Sequence, residues 1–191
     1  MPFTSPTRPI IRRGRESELP LADHLYRASL LCLLAREAAD GVAGFGRASA
    51  LAADILPLGG GFFVAEENGA VIGALGWRPS AGPGADPLIA QRGSRPFGPD
   101  AVRSAVALGF FVVPDDGAAA VARRLMTWLE VDAGRAGFNR VVAVAHPLMA
   151  DLHSEIGFCV ERVVRWENAS GRPLSLLQMH KRIPASIPAA A

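Results

Sequence analysis

The 191-residue chain has little cysteine, lysine or tyrosine: two cysteines, a single lysine (Lys181) and a single tyrosine (Tyr26). Cys32 and Cys159 lie far apart and have neither metal nor redox spacing, so we expect buried thiols in a reducing compartment. The four histidines, at positions 24, 146, 153 and 180, share no ligand spacing either. The sequence therefore predicts no metal site.

A charge excess and a long apolar segment are also missing. The formal net charge is +2 and the basic residues are not clustered, so nucleic acid is not predicted as a partner. The N-terminus has no apolar signal segment, and the apolar stretch 30–35 is too short to span a bilayer. We therefore expect a cytoplasmic protein that does not bind membranes. Its hydrophobic content of 50% suits one domain with a sizeable core.

The hydrophobic periods along the chain predict one α+β domain over residues 10–183, between a flexible N-terminus (1–9) and a flexible tail (184–191). The predicted helices cover residues 18–39, 48–56, 118 to 134 or 137, and 148–156. The predicted strands cover residues 9–13, 62–65, 70–77, 101–113, 140–145, 158–165 and 174–182. Asn68-Gly69 supplies the positive-φ residues of a hairpin. The Pro- and Gly-rich segment 79–99 predicts a long loop, either disordered or, as we prefer, a lid on the acceptor side.

The stretch 108–137 is the one around which the chain is organised. An apolar run from Leu108 to Val113 is typical of a buried strand, and Pro114 ends it. Asp115-Asp116-Gly117 then predicts a polar turn at a helix entrance. From Ala118 onward an apolar stripe follows helical spacing through Val121, Leu125, Trp128 or Leu129, and Asp132.

A strand that passes through small residues into a helix leaves backbone N–H groups without acceptors. Together with the helix dipole, these donors form an anion site. Small residues at 117–120 and Ala122 keep the approach to the backbone open, and Arg123 and Arg124 add positive charge. An Ala-rich helix N-terminus without a ligand is the alternative interpretation.

This stretch resembles the central motif of the GNAT superfamily of acyl-CoA-dependent N-acetyltransferases. In that motif a strand with a Val-x-Pro-like exit precedes Arg/Gln-x-x-Gly-x-Gly/Ala at the start of a helix. Residues 112–115 (Val-Val-Pro-Asp) match the strand exit and 117–122 match the phosphate loop. Gly117 replaces the usual Arg or Gln, and Ala120 replaces the first Gly. The resemblance covers roughly residues 10–183 and implies the GNAT fold, a central mixed, mostly antiparallel sheet flanked by helices.

The resemblance also implies an activity: transfer of an acetyl group from acetyl-CoA, as cosubstrate, to an amine by direct attack. Strand residues 110–112 would pair through their backbone with the pantetheine arm, as an added strand would, although they could equally be core strand residues. The residues that the resemblance assigns to cofactor binding are Phe110, Phe111, Val112, Gly117, Ala118, Ala119, Ala120, Val121, Ala122 and Arg123.

A second motif bears on catalysis. Residues 152–158, Leu-His-Ser-Glu-Ile-Gly-Phe, resemble the Leu-Tyr-x-x-x-Gly-Phe segment in which the family has a tyrosine acid. His153 stands at the tyrosine position, where an imidazolium could protonate the departing thiolate or the ring could order a water. A packing or surface histidine is the alternative. No residue is predicted as the base, with Asp100 and a water relay both open, and His146 stands where the family often has Asn.

The acceptor amine, on a small molecule or a peptide, is not specified by the sequence, and the closing hairpin could supply an edge for a homodimer. A second class of function stays open: a catalytically inactive GNAT-fold module that binds a CoA ester or a small ligand as a sensor or docking domain. The absent tyrosine, the Gly-to-Ala change and the absent base favour it, whereas the two motifs together favour the enzyme.

Overall fold

The computed structural model describes residues 8–22, 60–80, 104–112, 117–167 and 173–184. The strands are β1 (Ile10–Arg13), β2 (Gly61–Glu67), β3 (Ala70–Pro79), β4 (Ser104–Val112), β5 (Arg140–Ala145), β6 (Cys159–Glu167) and β7 (Pro173–Arg182). The helices are α1 (Ala118–Arg135) and α2 (Ala150–Glu155), with 3₁₀ turns at Glu16–Glu18 and Pro147–Met149. Residues 19–22 are also helical.

Several predictions concern residues outside these ranges. They include the first helix beyond residue 22, the helix at 48–56, the segment 81–99, the turn residues 113–116, and both termini. Tyr26, Cys32 and Asp100 also lie outside the described residues. Pro79 was predicted to begin the long loop, but it ends β3 because it pairs with Ala105 of β4.

The described strands form one seven-stranded sheet in the order β1-β2-β3-β4-β5-β7-β6. Every neighbouring pair is antiparallel except β4 and β5, which are parallel. This arrangement confirms the predicted mixed, mostly antiparallel sheet.

The β2–β3 hairpin turns through two residues. Asn68 (φ 51°) and Gly69 (φ 78°) both have positive φ, and Glu67 pairs with Ala70 across the turn. A two-residue turn of this kind matches the right-handed twist of the strands beside it. The turn is therefore shorter than the predicted one, and Glu66 belongs to the ladder.

A bulge bends β4 in its middle. Phe110 pairs with Leu75 of β3 and Leu108 pairs with Gly76, so Gly109 is an extra residue on β4. An extra residue of this kind bends its strand and increases the local twist. The bulge lies just before the residues that lead to α1.

Helix α1 packs on β2, β3 and β4 through one apolar stripe. Leu129 is fully buried whereas Trp128 is 46% exposed, so the stripe passes through Leu129. The buried residues of the helix are Val121, Ala122, Leu125, Met126, Leu129 and Ala133. They meet the main core of the sheet, which includes Phe63, Leu75, Trp77, Val141 and Met179.

Asp132 is a polar member of that stripe. Its Oδ2 accepts a hydrogen bond of 3.0 Å from Nε1 of Trp77, and its Oδ1 pairs with Arg13. A Cβ at Gly61 would clash with Asp132 Oδ2 and with Nε1 of Trp77, so the glycine leaves room for this contact. Asp132 therefore fixes α1 to β1 and β3.

Both helices end in the same way. After α1, the N–H of Phe138 donates to Ala133 O at 3.0 Å, and Gly137 has φ 83°. After α2, the N–H of Phe158 donates to His153 O at 2.9 Å, and Gly157 has φ 96°. This is the Schellman C-cap, in which glycine takes the left-handed conformation and an apolar residue follows.

Cys159 is exposed, so the prediction of a buried thiol is wrong for this residue. It is the first residue of β6, which stands at one edge of the sheet and, among the described strands, pairs only with β7. Val160 and Val163 of the same strand are also exposed. A strand at the edge of a sheet has a neighbour on one side only, so even its apolar side chains can be exposed to solvent.

Arg12 joins β1 to its neighbours. Its guanidinium donates to both carboxylate oxygens of Glu18, at 2.6 and 2.9 Å, and to Glu66 on β2 at 2.8 Å. These bonds lower the pKa of Glu18 to about 2, and the side chain of Glu18 is only 16% exposed. The pair therefore contributes stability that is fully present above the unfolded pKa of about 4.3.

We expect Glu18→Gln to lower the free energy of unfolding at pH 7 by about 1 kcal/mol, because it removes a charge-assisted pair at the sheet edge. The deficit should shrink as the pH falls from 4.5 toward 2, where the carboxylate of the wild type is protonated. Urea denaturation at several pH values measures both effects. Glu16→Gln, at an exposed position in the same turn, should leave stability unchanged; an equal loss in that variant would contradict the assignment.

Candidate active-site cleft

The two parallel strands at the centre of the sheet separate after three residue pairs. Ser104, Ala105 and Val106 of β4 pair with residues 140–142 of β5, and the pairing stops there. Beyond this point β4 follows β3, while β5 follows β7 as far as Ala145. A cleft therefore opens between residues 107–112 of β4 and 143–145 of β5, with backbone groups on both sides.

The cleft opens at the carboxyl ends of both parallel strands, which is where open α/β sheets bind ligands. Helix α1 follows β4 and begins beside this opening, and the 3₁₀ turn Pro147–Met149 follows β5. The sheet thus brings the two sequence motifs to the two sides of one opening. Residues 110–112 lie on the β4 side, with their other edge paired to residues 73–75 of β3.

The start of α1 leaves amide donors for an anion. Gly117 is the N-cap residue, and no side chain of the described residues caps the helix. The N–H groups of Ala120 and Val121 donate to Gly117 O at 3.0 and 3.1 Å. The N–H groups of Ala118 and Ala119 precede the first helical hydrogen bonds, so they have no acceptor within the helix.

The other predicted phosphate-loop residues divide by position. Val121 and Ala122 are buried in the core, while Ala120 and Arg123 are exposed on the first turn of the helix. Arg124 donates to the carbonyl oxygen of Pro9 and so ties α1 to the chain before β1. The donors suited to a phosphate are therefore the amides of Ala118 and Ala119, with Arg123 as the nearby cation.

His153 lies on the inner face of α2. It is 5% exposed, and its ring meets Phe158 edge to face at a centroid distance of 5.6 Å. Nδ1 lies 2.8 Å from the carbonyl oxygen of Met149. A carbonyl only accepts hydrogen bonds, so Nδ1 carries the hydrogen and Nε2 is the acceptor nitrogen of the neutral ring.

Burial lowers the pKa of His153, an effect that the hydrogen bond to Met149 O only partly opposes. The ring is therefore neutral near pH 7. Of the two chemical roles considered for it, a resting imidazolium acid is disfavoured. A ring that accepts a hydrogen bond, or a proton, at Nε2 is favoured.

His146 has the opposite tautomer in its neutral form. Its Nδ1 accepts a hydrogen bond of 3.4 Å from the N–H of Leu148 and so caps the 3₁₀ turn after β5. Nε2 then carries the hydrogen. The residue directly follows β5, at the position where the resemblance places an Asn.

Sequence reasoning missed the β5 side of the cleft. Residues 143–145 form half of the opening, but they appear in the sequence only as part of an apolar strand. Their backbone edge lacks a β4 partner because the β4–β5 pairing ends at Val106, beyond which β4 pairs only with β3 among the described strands. No local pattern in residues 143–145 records this.

The chain has the GNAT fold, as the sequence resemblance implied. A GCN5-related N-acetyltransferase from Rhodopseudomonas palustris superposes with a TM-score of 0.63 at 18% identity, over 95% of this chain and 99% of its own. A GNAT superfamily phosphinothricin acetyltransferase from Sinorhizobium meliloti, in complex with acetyl-CoA, gives 0.61 at 20% identity, over 96% and 93%. The PaiA N-acetyltransferase from Thermoplasma acidophilum, in complex with coenzyme A, gives 0.60 at 14% identity, over 92% and 99%.

No family model matches the chain, and no curated protein matches it either. At identities of 14–20%, the structural similarity establishes the fold alone, and the activity has to be inferred from the site. Within the described part of the chain, no helix is long and apolar enough to cross a membrane.

We predict that the ring of His153 stays neutral, with the hydrogen on Nδ1, throughout the neutral pH range. Nitrogen-15 NMR of the histidine rings should give a titration midpoint below 6.5, and His153→Phe identifies the resonance by its loss. Because the unfolded ring takes up its proton more readily, this residue should destabilise the fold as the pH falls below about 6.5. A titration midpoint at or above 6.5 would show that burial does not lower the pKa of His153.

Proposed function

We propose that the protein is an N-acetyltransferase that transfers the acetyl group of acetyl-CoA to an amine. The observation that supports this most directly is the separation of β4 and β5 beside an uncapped start of α1. The first feature offers a strand edge for an extended amide chain, and the second offers donors for a diphosphate. Pantetheine and the diphosphate are joined in one molecule in coenzyme A.

The residues at the cleft fit such a cosubstrate. Residues 107–112 present a backbone edge, and the helix does not use the amides of Ala118 and Ala119. The exposed side chain of Ala120 is only a methyl group. Arg123 adds a positive charge one turn further on. Acetyl-CoA supplies the activated acyl group, and this chain supplies the binding surface, the orientation and the proton transfers.

The reaction sets the proton requirements. The amine nitrogen forms a bond to the acyl carbon, the carbon–sulfur bond breaks, and the thiolate leaves. An alkylammonium has a pKa of about 10.4, so it must lose a proton before it can attack, and the thiolate, with a thiol pKa of about 8.5, gains one. A neutral ring at His153 can take a proton at Nε2 first and return it to the sulfur afterwards. Its lowered pKa makes the imidazolium that forms a better acid.

The acceptor is an amine of unidentified structure, on a small molecule or a peptide. The solved structures that share the fold include aminoglycoside 6'-N-acetyltransferases, which act on small molecules. A cytoplasmic location and a homodimer formed through the sheet edge stay predictions.

Ala120→Glu should weaken acetyl-CoA binding roughly 100-fold, because a carboxylate about 5 Å from a phosphate costs on the order of 3 kcal/mol. Isothermal titration of acetyl-CoA into the purified protein measures the dissociation constant. Ala120→Gln adds the same bulk without the charge, so it should lose less affinity for acetyl-CoA.

The matched control is Ala136→Glu, an exposed alanine after the last turn of the same helix. It lies roughly 24 Å from position 120 along the helix axis and should bind normally. If Ala120→Glu binds acetyl-CoA as tightly as the wild type, the diphosphate does not bind at this turn. The absence of heat and of a thermal shift in the wild type at millimolar acetyl-CoA would overturn the proposed function.

His153→Phe should lower turnover about 100-fold, the usual contribution of a general acid–base group, while the affinity for acetyl-CoA is nearly unchanged. Phenylalanine keeps the aromatic contact with Phe158, so the C-cap of α2 is preserved. Thiol release assayed over a panel of amines gives the rate. Unchanged turnover would leave His153 with a packing role alone, and tight binding without thiol release from any amine would favour the inactive binding module.

A further inference from the structure

A second concave site lies at the opposite end of the sheet from the cleft. It has a volume of about 360 Å³ and is lined by Asn139, Arg140, His180, Arg182 and Ile183. These residues lie around the start of β5 and the end of β7. Just outside the two strands, the N–H of Ile183 donates to Asn139 O at 2.9 Å. The volume falls at the lower end of the range typical of small-molecule pockets. Along β5 it is about five residues, or roughly 17 Å, from the cleft end.

The two arginines and the histidine of this pocket share one face of the sheet. Arg140 and Arg182 are direct partners in the β5–β7 ladder, and His180 is two residues from Arg182 on the same strand. Lys181, between them, points the other way, to Glu130 of α1 and to Ile156 O. The pocket face is therefore the one opposite α1.

A polar network holds Arg140 in place. Its Nη2 lies 2.7 Å from Oε2 of Glu161 on β6, and the same carboxylate accepts a bond of 3.0 Å from Nε2 of Gln178. The amide oxygen of Gln178, which is 1% exposed, accepts two bonds from Arg162. Positioned in this way across three strands, the Arg140 guanidinium has a fixed orientation beside the pocket.

The pocket has more positive charge than its neighbours neutralise. Glu161 is engaged by Arg140. Among the described residues, no acidic residue lines the pocket and Arg182 has no ion-pair partner. Nδ1 of His180 is buried and has no hydrogen-bond partner in the described part of the chain. Oγ of Ser104, the neighbour of Arg140 on β4, is likewise buried without a partner. Buried polar atoms without partners are rare because each costs stability.

We propose that this pocket binds a small oxyanion, a compound with a carboxylate or phosphate group, at a site separate from the acetyl-transfer cleft. Arg182 supplies the uncompensated charge, Arg140 a pre-oriented guanidinium, and the imidazole of His180 a hydrogen-bonding group. The planar donor fork of arginine matches the geometry of both carboxylate and phosphate. The anion would also provide a partner for the buried nitrogen of His180.

The ring resonances of His180 in NMR spectra of the full chain test this. Inorganic phosphate and succinate are titrated separately, each against sodium chloride at matched ionic strength. We expect a saturable shift of the His180 signals with at least one of the two anions and none with chloride. Saturation by phosphate alone identifies a phosphate site, and saturation by succinate alone identifies a carboxylate site. The absence of saturation with both, or an equal response to chloride, would overturn the proposal.

Variants then locate the site. Arg182→Gln should weaken anion binding at least tenfold, consistent with the loss of one charge-assisted hydrogen bond. Arg165→Gln, an exposed arginine on β6 outside the pocket, should bind the anion normally. Equal weakening in both variants would mean that net charge, and not the pocket, attracts the anion. Acetyl-CoA binding in Arg182→Gln should match the wild type, so the two proposals fail independently.

Discussion

The separation of β4 from β5 is the constraint on which the rest of the molecule depends. Three parallel residue pairs hold the two halves of the sheet together, and beyond them β4 bends with β3 while β5 continues with β7. Backbone groups in the opened segment lose strand partners, which is costly unless water or a ligand replaces them. Because parallel strands open at their carboxyl ends, the segments that follow them, α1 and the turn to α2, meet at the same opening.

Helix α1 joins the two halves that the separation divides. Its apolar stripe packs on β2, β3 and β4, and Asp132 fixes its last turns to Trp77 and Arg13. On the other side, Glu130 pairs with Lys181 of β7, and Lys181 also donates to Ile156 O at the end of α2. These contacts fix the C-terminal half of the helix, and Arg124 ties the N-terminal half to the carbonyl oxygen of Pro9. Among the described residues, no side chain caps the start of α1.

Local sequence was sufficient where local chemistry decides the structure. The Asn68-Gly69 turn, the apolar stripe of α1 and the glycines that end both helices were all visible in the sequence, because φ preference and helical spacing are properties of a few neighbouring residues. The bulge at Gly109, the exposure of Cys159 and the choice of Leu129 over Trp128 were not visible. Each depends on which distant strand lies alongside, and the cleft itself exists only through such pairings. The tyrosine-to-histidine change was visible, but the protonation of His153 was not, since it follows from burial beside Phe158.

The Leu-His-x-x-x-Gly-Phe segment has two separable roles. Gly157 and Phe158 are explained by the C-cap of α2, in which glycine takes positive φ and the apolar residue packs back on the helix. They would be needed in a protein without catalysis, so their match to a family motif says little about chemistry. Position 153 is different, because packing against Phe158 requires an aromatic ring but no nitrogen. A histidine here places a titratable group in a buried position at a stability cost in acid, which a phenylalanine would avoid. Nδ1 already has a structural partner in Met149 O, so the proton transfer proposed for this residue falls on Nε2.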